Sequence, residues 1–271
     1  MSFVSDAGFF GRTIARNRFL LWEMSRRDLF DRYAGQALGG WWTLIHTLSL
    51  VGVYLLLFSV FFYPNAKTGG ATTVSPTMYI LAGMLPWLWA AEVFIRAPGV
   101  IRDHAELTRQ VVFPTEILPL KITISAFFTT FIGLSLLVIY GLSAGIIHTK
   151  SLILLSAALI ILGCFLCGAA LIASAIGVFL KDIKELMTLY ARIGVYAAPV
   201  FYFVDMLPER WRSLLYINPM TWFIELFHDA LAYGEIRHIS VWIGASTMAT
   251  IACMVGAVLF ARLKPQFGSF V

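Results

Sequence analysis

Residues Ser151–Leu180 read SLILLSAALIILGCFLCGAALIASAIGVFL, without one Asp, Glu, Lys, Arg or His. An α-helix rises about 1.5 Å per residue, so about 20 apolar residues cross the hydrocarbon of a bilayer. This stretch is longer than that, and a helix apolar on every face needs lipid or a very large core around it. Runs free of Asp, Glu, Lys and Arg recur at Leu44–Phe62, Thr68–Ala91, Ile122–Ile147 and Ile239–Ala261. A sixth run, Leu186–Val204, is interrupted by Arg192 and bent by Pro199. The pattern predicts an all-α integral membrane protein, one domain over 1–271, with transmembrane helices at 44–63, 77–97, 120–146, 152–179, 186–204 and 239–261.

Composition points the same way. The chain is 59% hydrophobic and 13% charged with mean hydropathy +0.82, whereas soluble domains are about one quarter charged. A net charge of +5 and a pI of 9.2 would suit nucleic acid. The basic residues, however, lie between hydrophobic runs, so no nucleic acid partner is expected and their placement is a topology signal. With six crossings both termini share one side. Of the 20 Lys and Arg, the opposite side receives Lys67, Lys150, Arg210, Arg212 and Arg237. The remainder, Arg192 among them, face the terminal side, which the positive-inside rule assigns to the cytoplasm. Arg12, Arg16, Arg18, Arg26, Arg27 and Arg32 interrupt every early apolar stretch, so no secretory signal peptide is expected.

Between the fifth and sixth spans, 205–234 is too short to cross and too apolar for an ordinary loop. Trp211, Trp222 and Phe223 flank a break at Asn218-Pro219. This reads as a re-entrant helical hairpin dipping in from the outer, periplasmic face, with a surface-lying amphipathic pair as the alternative. Two cytoplasmic stretches read as short helices. Ser25 looks like an N-cap with Asp28 three residues on, and Gly39-Gly40 supplies a stop, giving an interface helix over 25–40. Leu29, Phe30, Tyr33 and Ala37 share one face of it, with Asp28, Asp31 and Arg32 largely opposite. Pro98-Gly99 is expected to break the second span. Pro114 then bounds a helix over 100–112 with charges of both signs. Composition leaves a plain surface element and a docking element both open in each case.

The chain has no G-x-x-x-x-G-K-[ST] loop, G-x-G-x-x-G or H-E-x-x-H. Cys164 and Cys167 form a C-x-x-C at mid-span without His or acidic neighbours, so they read as packing residues, and no metal site is expected. The one acid within a span is Glu92, with Arg96 one turn later, which predicts an i,i+4 ion pair. An ion-coupled carrier would place ionisable groups near the midplane of broken helices. A membrane enzyme acting on lipid-linked sugars would need acids or bases near its substrate, and Asp205, Glu209, Glu225, Asp229 and Glu235 are the only cluster on offer. Aromatics make up 15% of the chain. Tyr54, Phe58, Phe62, Trp87, Trp89, Tyr196, Phe201 and Tyr202 are candidates for a lumen along which sugar rings slide on aromatic faces.

Three segments taken together resemble the permease subunit of ABC exporters of bacterial cell-surface polysaccharides. The first is Arg27-Asp-Leu-Phe-Asp-Arg-Tyr33 followed by Leu38-Gly-Gly-Trp-Trp42. The second is Pro86-Trp87 with Leu107-Thr-Arg-Gln-Val-Val-Phe-Pro-Thr-Glu-Ile-Leu-Pro119. The third is Lys181-Asp-Ile183, Pro199-Val200, Pro208-Glu209 and Asn218-Pro-Met220. The order and spacing are kept from about residue 25 to the end. Thr47 or Leu48 stands where the family often has Pro, and Lys181 replaces a common Arg, keeping the charge without the planar fork. Leu263-Lys-Pro-Gln-Phe267 is more similar to the O-antigen branch than to the related capsule and teichoic acid branches.

The resemblance implies a homodimer in the bacterial inner membrane with two cytoplasmic ABC ATPase subunits. ATP and Mg would be held by those subunits, with no cofactor on this chain. It implies ATPase docking by Asp28, Phe30, Arg32 and Tyr33 and by the coupling helix residues Arg102, Asp103, His104, Glu106, Leu107 and Arg109. The implied cargo is a polyprenyl-diphosphate-linked polysaccharide, admitted past Arg26, Arg27 and Arg32, with Trp211, Asn218, Pro219, Trp222 and Phe223 as the outer gate. Export of a capsule or teichoic-acid-type polymer is the nearest alternative.

Overall fold

The computed structural model describes residues 15–32, 35–39, 41–57, 75–108 and 113–270. Among the described residues all regular structure is helical. Four helical stretches are long and apolar enough to cross a membrane: Pro76–Asp103, Ile117–Ser143, Thr149–Phe179 and Ile239–Phe270. They correspond to the second, third, fourth and sixth predicted spans.

Helix α1 (Arg18–Asp31) is followed by α2 (Trp41–Leu56), the described part of the first predicted span. Ser25 is not a cap: it lies inside α1 and its hydroxyl donates to the Leu21 carbonyl at 2.7 Å. Nothing between Arg18 and Ser25 interrupts the hydrogen-bond ladder, so the helix starts earlier than expected. The Asp28 side chain is 10% exposed whereas Phe30 is 58% exposed, because α1 turns Asp28 onto a polar seam described below, while Asp31 stays exposed. Trp22 meets Phe128 edge-on at 5.5 Å, fixing α1 against the third span.

Helix α3 (Pro76–Arg96) begins with Pro at its first position, where the missing N–H costs nothing. Pro98-Gly99 interrupts the α-helix at Arg96, as expected, without turning the chain out of the helical path. The chain tightens into a 3-10 turn at Ala97–Gly99 and resumes as α4 (Val100–Asp103), followed by α5 (Ala105–Thr108). In its most apolar window α3 is 83% buried, against 33% for the fourth and sixth spans, so it is the central stave. Around it stand α6 (Ile117–Ser143), α7 (Thr149–Phe179), α8 (Asp182–Ile193) and α10 (Pro219–Phe227).

The last span, α11 (Ile239–Leu263), lies along α7. Gly168 and Gly256 face each other there, and a Cβ on Gly168 would overlap the Ala252 carbonyl. Lipid supplies no hydrophobic drive for helix pairing, so small residues that let backbones approach carry this contact. A short helix, α12 (Phe267–Phe270), closes the chain, with Phe267 buried against Phe260.

The fifth predicted span differs most. In place of a helix over 186–204, α8 ends at Ile193 and the chain turns through 194–200. Gly194 packs tightly at that end. A Cβ there would lie 2.7 Å from the Trp87 ring and from the Tyr190 carbonyl oxygen, and Pro199 prevents the helix from resuming. Beyond it come α9 (Glu209–Leu215), the break at Asn218-Pro219, α10, and a π turn at His228–Tyr233 closed by Gly234 at φ +73. The expected pair of short helices is therefore present: α9 is exposed and α10 is largely buried against α3, α7 and α11.

Candidate functional site

At the end of the bundle where α1 lies, a polar seam joins three elements. Arg96 Nη2 donates to both carboxylate oxygens of Asp28 at 2.7 Å, and its Nη1 holds Glu92 at 3.0 Å. Arg32 reaches inward to the same Glu92 and to Asp28. Ser125 on α6 donates to Asp28 at 2.8 Å, and Lys121, one turn earlier, stands 3.8 Å from it. Burial alone would raise the Asp28 carboxyl, but the Arg96 guanidinium, Ser125 and Lys121 hold it below the usual carboxylate range. The expected Glu92–Arg96 pair is present as part of this larger network.

The seam continues into the loop after the second span. His104 Nδ1–H donates to the Val100 carbonyl at 2.9 Å, which leaves Nε2 to accept from the Lys121 ammonium at 2.8 Å. Burial first, and then the Lys121 charge, push the His104 ring below its ordinary value. Arg102 donates to the Val178 carbonyl at 2.5 Å, tying α4 to the end of α7. Asp103 and Glu106 are exposed, and Leu107 is half-buried. A cleft of 290 Å³ opens between Arg102, Asp103, Lys181, Lys184 and Glu185. Arg109 and Tyr33 lie outside the described residues.

The structure divides the three arginines expected to meet a diphosphate. Arg26 and Arg27 are exposed and lean on Glu23 at 3.9 and 3.1 Å, while Arg32 is committed to the seam. Above the seam, a cavity of 370 Å³ between α2, α3 and α6 has Leu50, Leu85 and Leu88 as walls and Glu92 and Arg96 at its floor.

Of the aromatics expected along a lumen, Tyr54, Phe201 and Tyr196 come together. Tyr54 and Phe201 ring centres are 6.3 Å apart, Phe201 and Tyr196 5.8 Å, and the Tyr202 hydroxyl approaches the Tyr196 carbonyl at 3.4 Å. Trp87 and Trp89 are instead interior, 2% and 4% exposed. Their indole N–H groups donate to the carbonyls of Ala191 (3.2 Å) and Thr123 (2.9 Å). Phe58 and Phe62 lie outside the described residues.

The residues expected at an outer gate also divide. Trp211 on α9 is 50% exposed. Trp222 donates to the Tyr216 carbonyl and Phe223 stacks on Phe165 at 4.4 Å, both as packing anchors. Pro219 opens α10, and Asn218 caps it by accepting from Met220 N at 3.0 Å. The same Asn218 Oδ1 accepts from the Tyr190 hydroxyl at 2.6 Å, and Nδ2 donates to the Gly194 carbonyl at 3.3 Å. The hairpin break is thereby bolted to the end of α8.

A family described as ABC-2 type transporter matches residues 20–231. The chain belongs to that family. The O-antigen export system permease protein RfbA of Myxococcus xanthus is 28% identical over 262 residues, covering 96% of this chain and 98% of that protein. The permease of the same name from Klebsiella pneumoniae is 24% identical over 259 residues, covering 93% of this chain and 95% of that protein. An ABC-2 transporter chain is a transporter subunit, not an enzyme, and works with an ABC ATPase.

Two exposed features stand at one end, the outer side of α1 and the α4–α5 loop, both tied to the spans through the seam. Sequence reading missed Ser125 and Lys121 as members of it. Their i,i+4 spacing on one face of an otherwise apolar helix was the available signal. It also missed His228, which is 0% exposed, stacks on Tyr79 at 3.7 Å and stands 3.7 Å from Glu225.

Proposed function

We infer that this chain is the membrane permease of an O-antigen exporter, driven by ATP hydrolysis on separate ABC ATPase subunits. The observation that carries this is likeness to O-antigen export permeases over more than nine-tenths of the chain, in a helical bundle with four apolar spans among the described residues. In this reading two copies of the chain pair in the bacterial inner membrane, each with six crossings and both termini in the cytoplasm. α2 and α8 belong to the first and fifth crossings.

Two cytoplasmic ATPase subunits dock on α1 and on α4–α5. They hold the ATP and Mg, and this chain holds neither. The Asp28–Arg96 contact then passes ATPase motion from the surface helix to the central span α3. Polyprenyl-diphosphate-linked glycan enters from the cytoplasmic side and moves outward past Tyr54, Tyr196 and Phe201, whose ring faces stack on sugars without demanding one fixed pattern. The α9–α10 hairpin closes the outer end. Its depth is supported by the Asn218 bond to Gly194, since that carbonyl ends a 12-residue helix rising from the cytoplasmic end. Broken backbone at such depth survives where protein groups satisfy it, as Asn218 and Trp87 do here.

Co-purification tests the reading. Expressed with its genomic neighbours, the chain is expected to bring down an ABC ATPase whose hydrolysis rises with lipid-linked O-antigen. Stimulation by capsule or teichoic-acid-type polymer alone would move the assignment to those branches. Cargo movement by the chain alone, down an ion gradient, would end it.

A further inference from the structure

The sequence counts Arg192 among the cytoplasmic charges, but in the export reading the length of α8 carries it to about mid-depth. α8 starts at Asp182, beside the cytoplasmic cleft, and Arg192 lies in its last turn. The intervening residues at about 1.5 Å each raise it by about 15 Å, half of a hydrocarbon layer about 30 Å thick. A second ruler agrees. The neighbouring Ala191 carbonyl accepts from Trp87, near the middle of the Pro76–Asp103 span.

The side chain is exposed on the surface of the chain, sharing a face with Leu189 and Tyr196. Among the described residues no acid pairs with it. The acids nearest its depth are turned elsewhere, Glu92 onto Arg32 and Arg96, and Glu225, 13% exposed, onto His228. Glu185, exposed on the same helix, stands seven residues or about 10 Å nearer the cytoplasmic end. A second copy in the same orientation brings the same acids at the same heights. Lipid is a costly surrounding for a guanidinium at mid-depth, and a snorkelling side chain falls well short of an interface about 15 Å away. What remains is water and whatever passes through it. One turn outward stands Tyr196, stacked through Phe201 on Tyr54. The cation and the aromatic row therefore lie on the same side of an interrupted helix.

We propose that Arg192 projects into the aqueous cargo path and binds the anionic group of the passing substrate, phosphate or carboxylate, at the membrane midpoint. The guanidinium fork suits bidentate capture of either group. The inference rests on the export reading and names a site within it. A diphosphate headgroup and an acidic sugar share this chemistry, so the experiment carries both.

The wild-type complex with its ATPase subunits, in proteoliposomes, is titrated with polyprenyl diphosphate, polyprenol and an acidic oligosaccharide. For whichever anion stimulates hydrolysis, Arg192→Gln is expected to raise the half-stimulating concentration about tenfold or more, with Arg192→Lys partly restoring it. The anion affected identifies the source. Unchanged half-stimulation for both anions overturns the proposal. Separately, Arg192→Cys is expected to react with a charged, membrane-impermeant methanethiosulfonate above the wild-type background of Cys164, Cys167 and Cys253, and polyprenyl diphosphate or the acidic oligosaccharide is expected to slow the reaction. Labelling by a lipid-soluble maleimide alone overturns it. If no probe stimulates the wild-type complex, the export reading fails, and labelling by the charged reagent decides on its own whether Arg192 faces water.

Discussion

One nitrogen of Arg96 lies 2.7 Å from each carboxylate oxygen of Asp28, so a residue of the central span grips a residue of the surface helix. The pair is partly shielded, with side chains 30% and 10% exposed. Asp28→Asn removes the charge and leaves Glu92 as the only acid bonded to Arg96 among the described residues. A loss of about 2 kcal/mol in stability is expected, the range for a partly buried charged hydrogen bond. Thermal unfolding of the detergent-solubilised protein checks it, and Asp28→Asn with Arg96→Gln together should cost less than the two singly. The pH dependence has a fixed sign. Asp28 is held below its ordinary 3.8, so its contribution is fully present above that pH and is lost as pH falls through the lower folded value. The variant should lack that acid limb.

His104 gives the opposite kind of signal, nearer neutrality. Its ring is pushed below 6.5, so as pH falls under 6.5 the unfolded chain takes up a proton that the folded one resists. Stability is therefore expected to decline from pH 6.5 downward until the folded ring also protonates. His104→Gln should flatten that decline. A thermal-shift series from about pH 8 to 5 reads the difference, and an unchanged slope would remove His104 from the seam's electrostatics.

Length and hydrophobicity were enough to read four spans in the sequence, because helices in lipid satisfy their own backbone and carry their own signal. The failures are tertiary. Asp28 and Phe30 lie on different sides of α1 as the pattern expects, but amphipathicity alone does not say whether an acid meets water or a partly buried Arg96. The fifth span reads as continuous because local hydrophobicity does not mark the turn after Ile193, and Trp87, which packs on Gly194 there, comes from a different helix. Trp87 and Trp89 were candidates for a lumen by type, and their indole bonds to Ala191 and Thr123 were invisible to spacing. The Glu92–Arg96 pair was legible because it is local.

Gly168 faces the Ala252 carbonyl with no room for a Cβ, while nothing lies within 4 Å of one built at Gly52. Gly168→Val is expected to part α7 and α11 and cost about 3 kcal/mol or more, as overpacking against backbone does. Gly52→Ala should be near neutral. Cysteine cross-linking between the two helices, or the yield of folded protein, distinguishes them.

Asp103 and Glu106 are exposed at the same end as the seam. Reversing both, Asp103→Lys with Glu106→Lys, should leave thermal stability within about 0.5 kcal/mol, as surface changes do. ATPase recovered by pull-down should fall about tenfold, since mismatched charge at an interface costs association. Full recovery of the ATPase would remove α4–α5 from the docking surface.

Asn218 separates two roles in one side chain. It caps α10 through Met220 N and ties that cap to α8 through Tyr190 and the Gly194 carbonyl. Asn218→Asp keeps an acceptor for Met220 and Tyr190 but faces the Gly194 carbonyl with an oxygen that cannot donate. Asn218→Ala removes all three bonds and adds no repulsion. If capping dominates, Asp is the milder change, since Asp and Asn cap alike and Ala costs about 1 kcal/mol. If the bolt to α8 dominates, Asp is at least as harmful as Ala, because it introduces a desolvated charge beside a carbonyl. The depth of the contact favours the second order. Tyr190→Phe should then lower stability by about 1 kcal/mol while leaving the α10 cap intact. Measuring all three variants by thermal unfolding ranks them, and a mild Asp variant would show that the hairpin is held by its cap and not by α8.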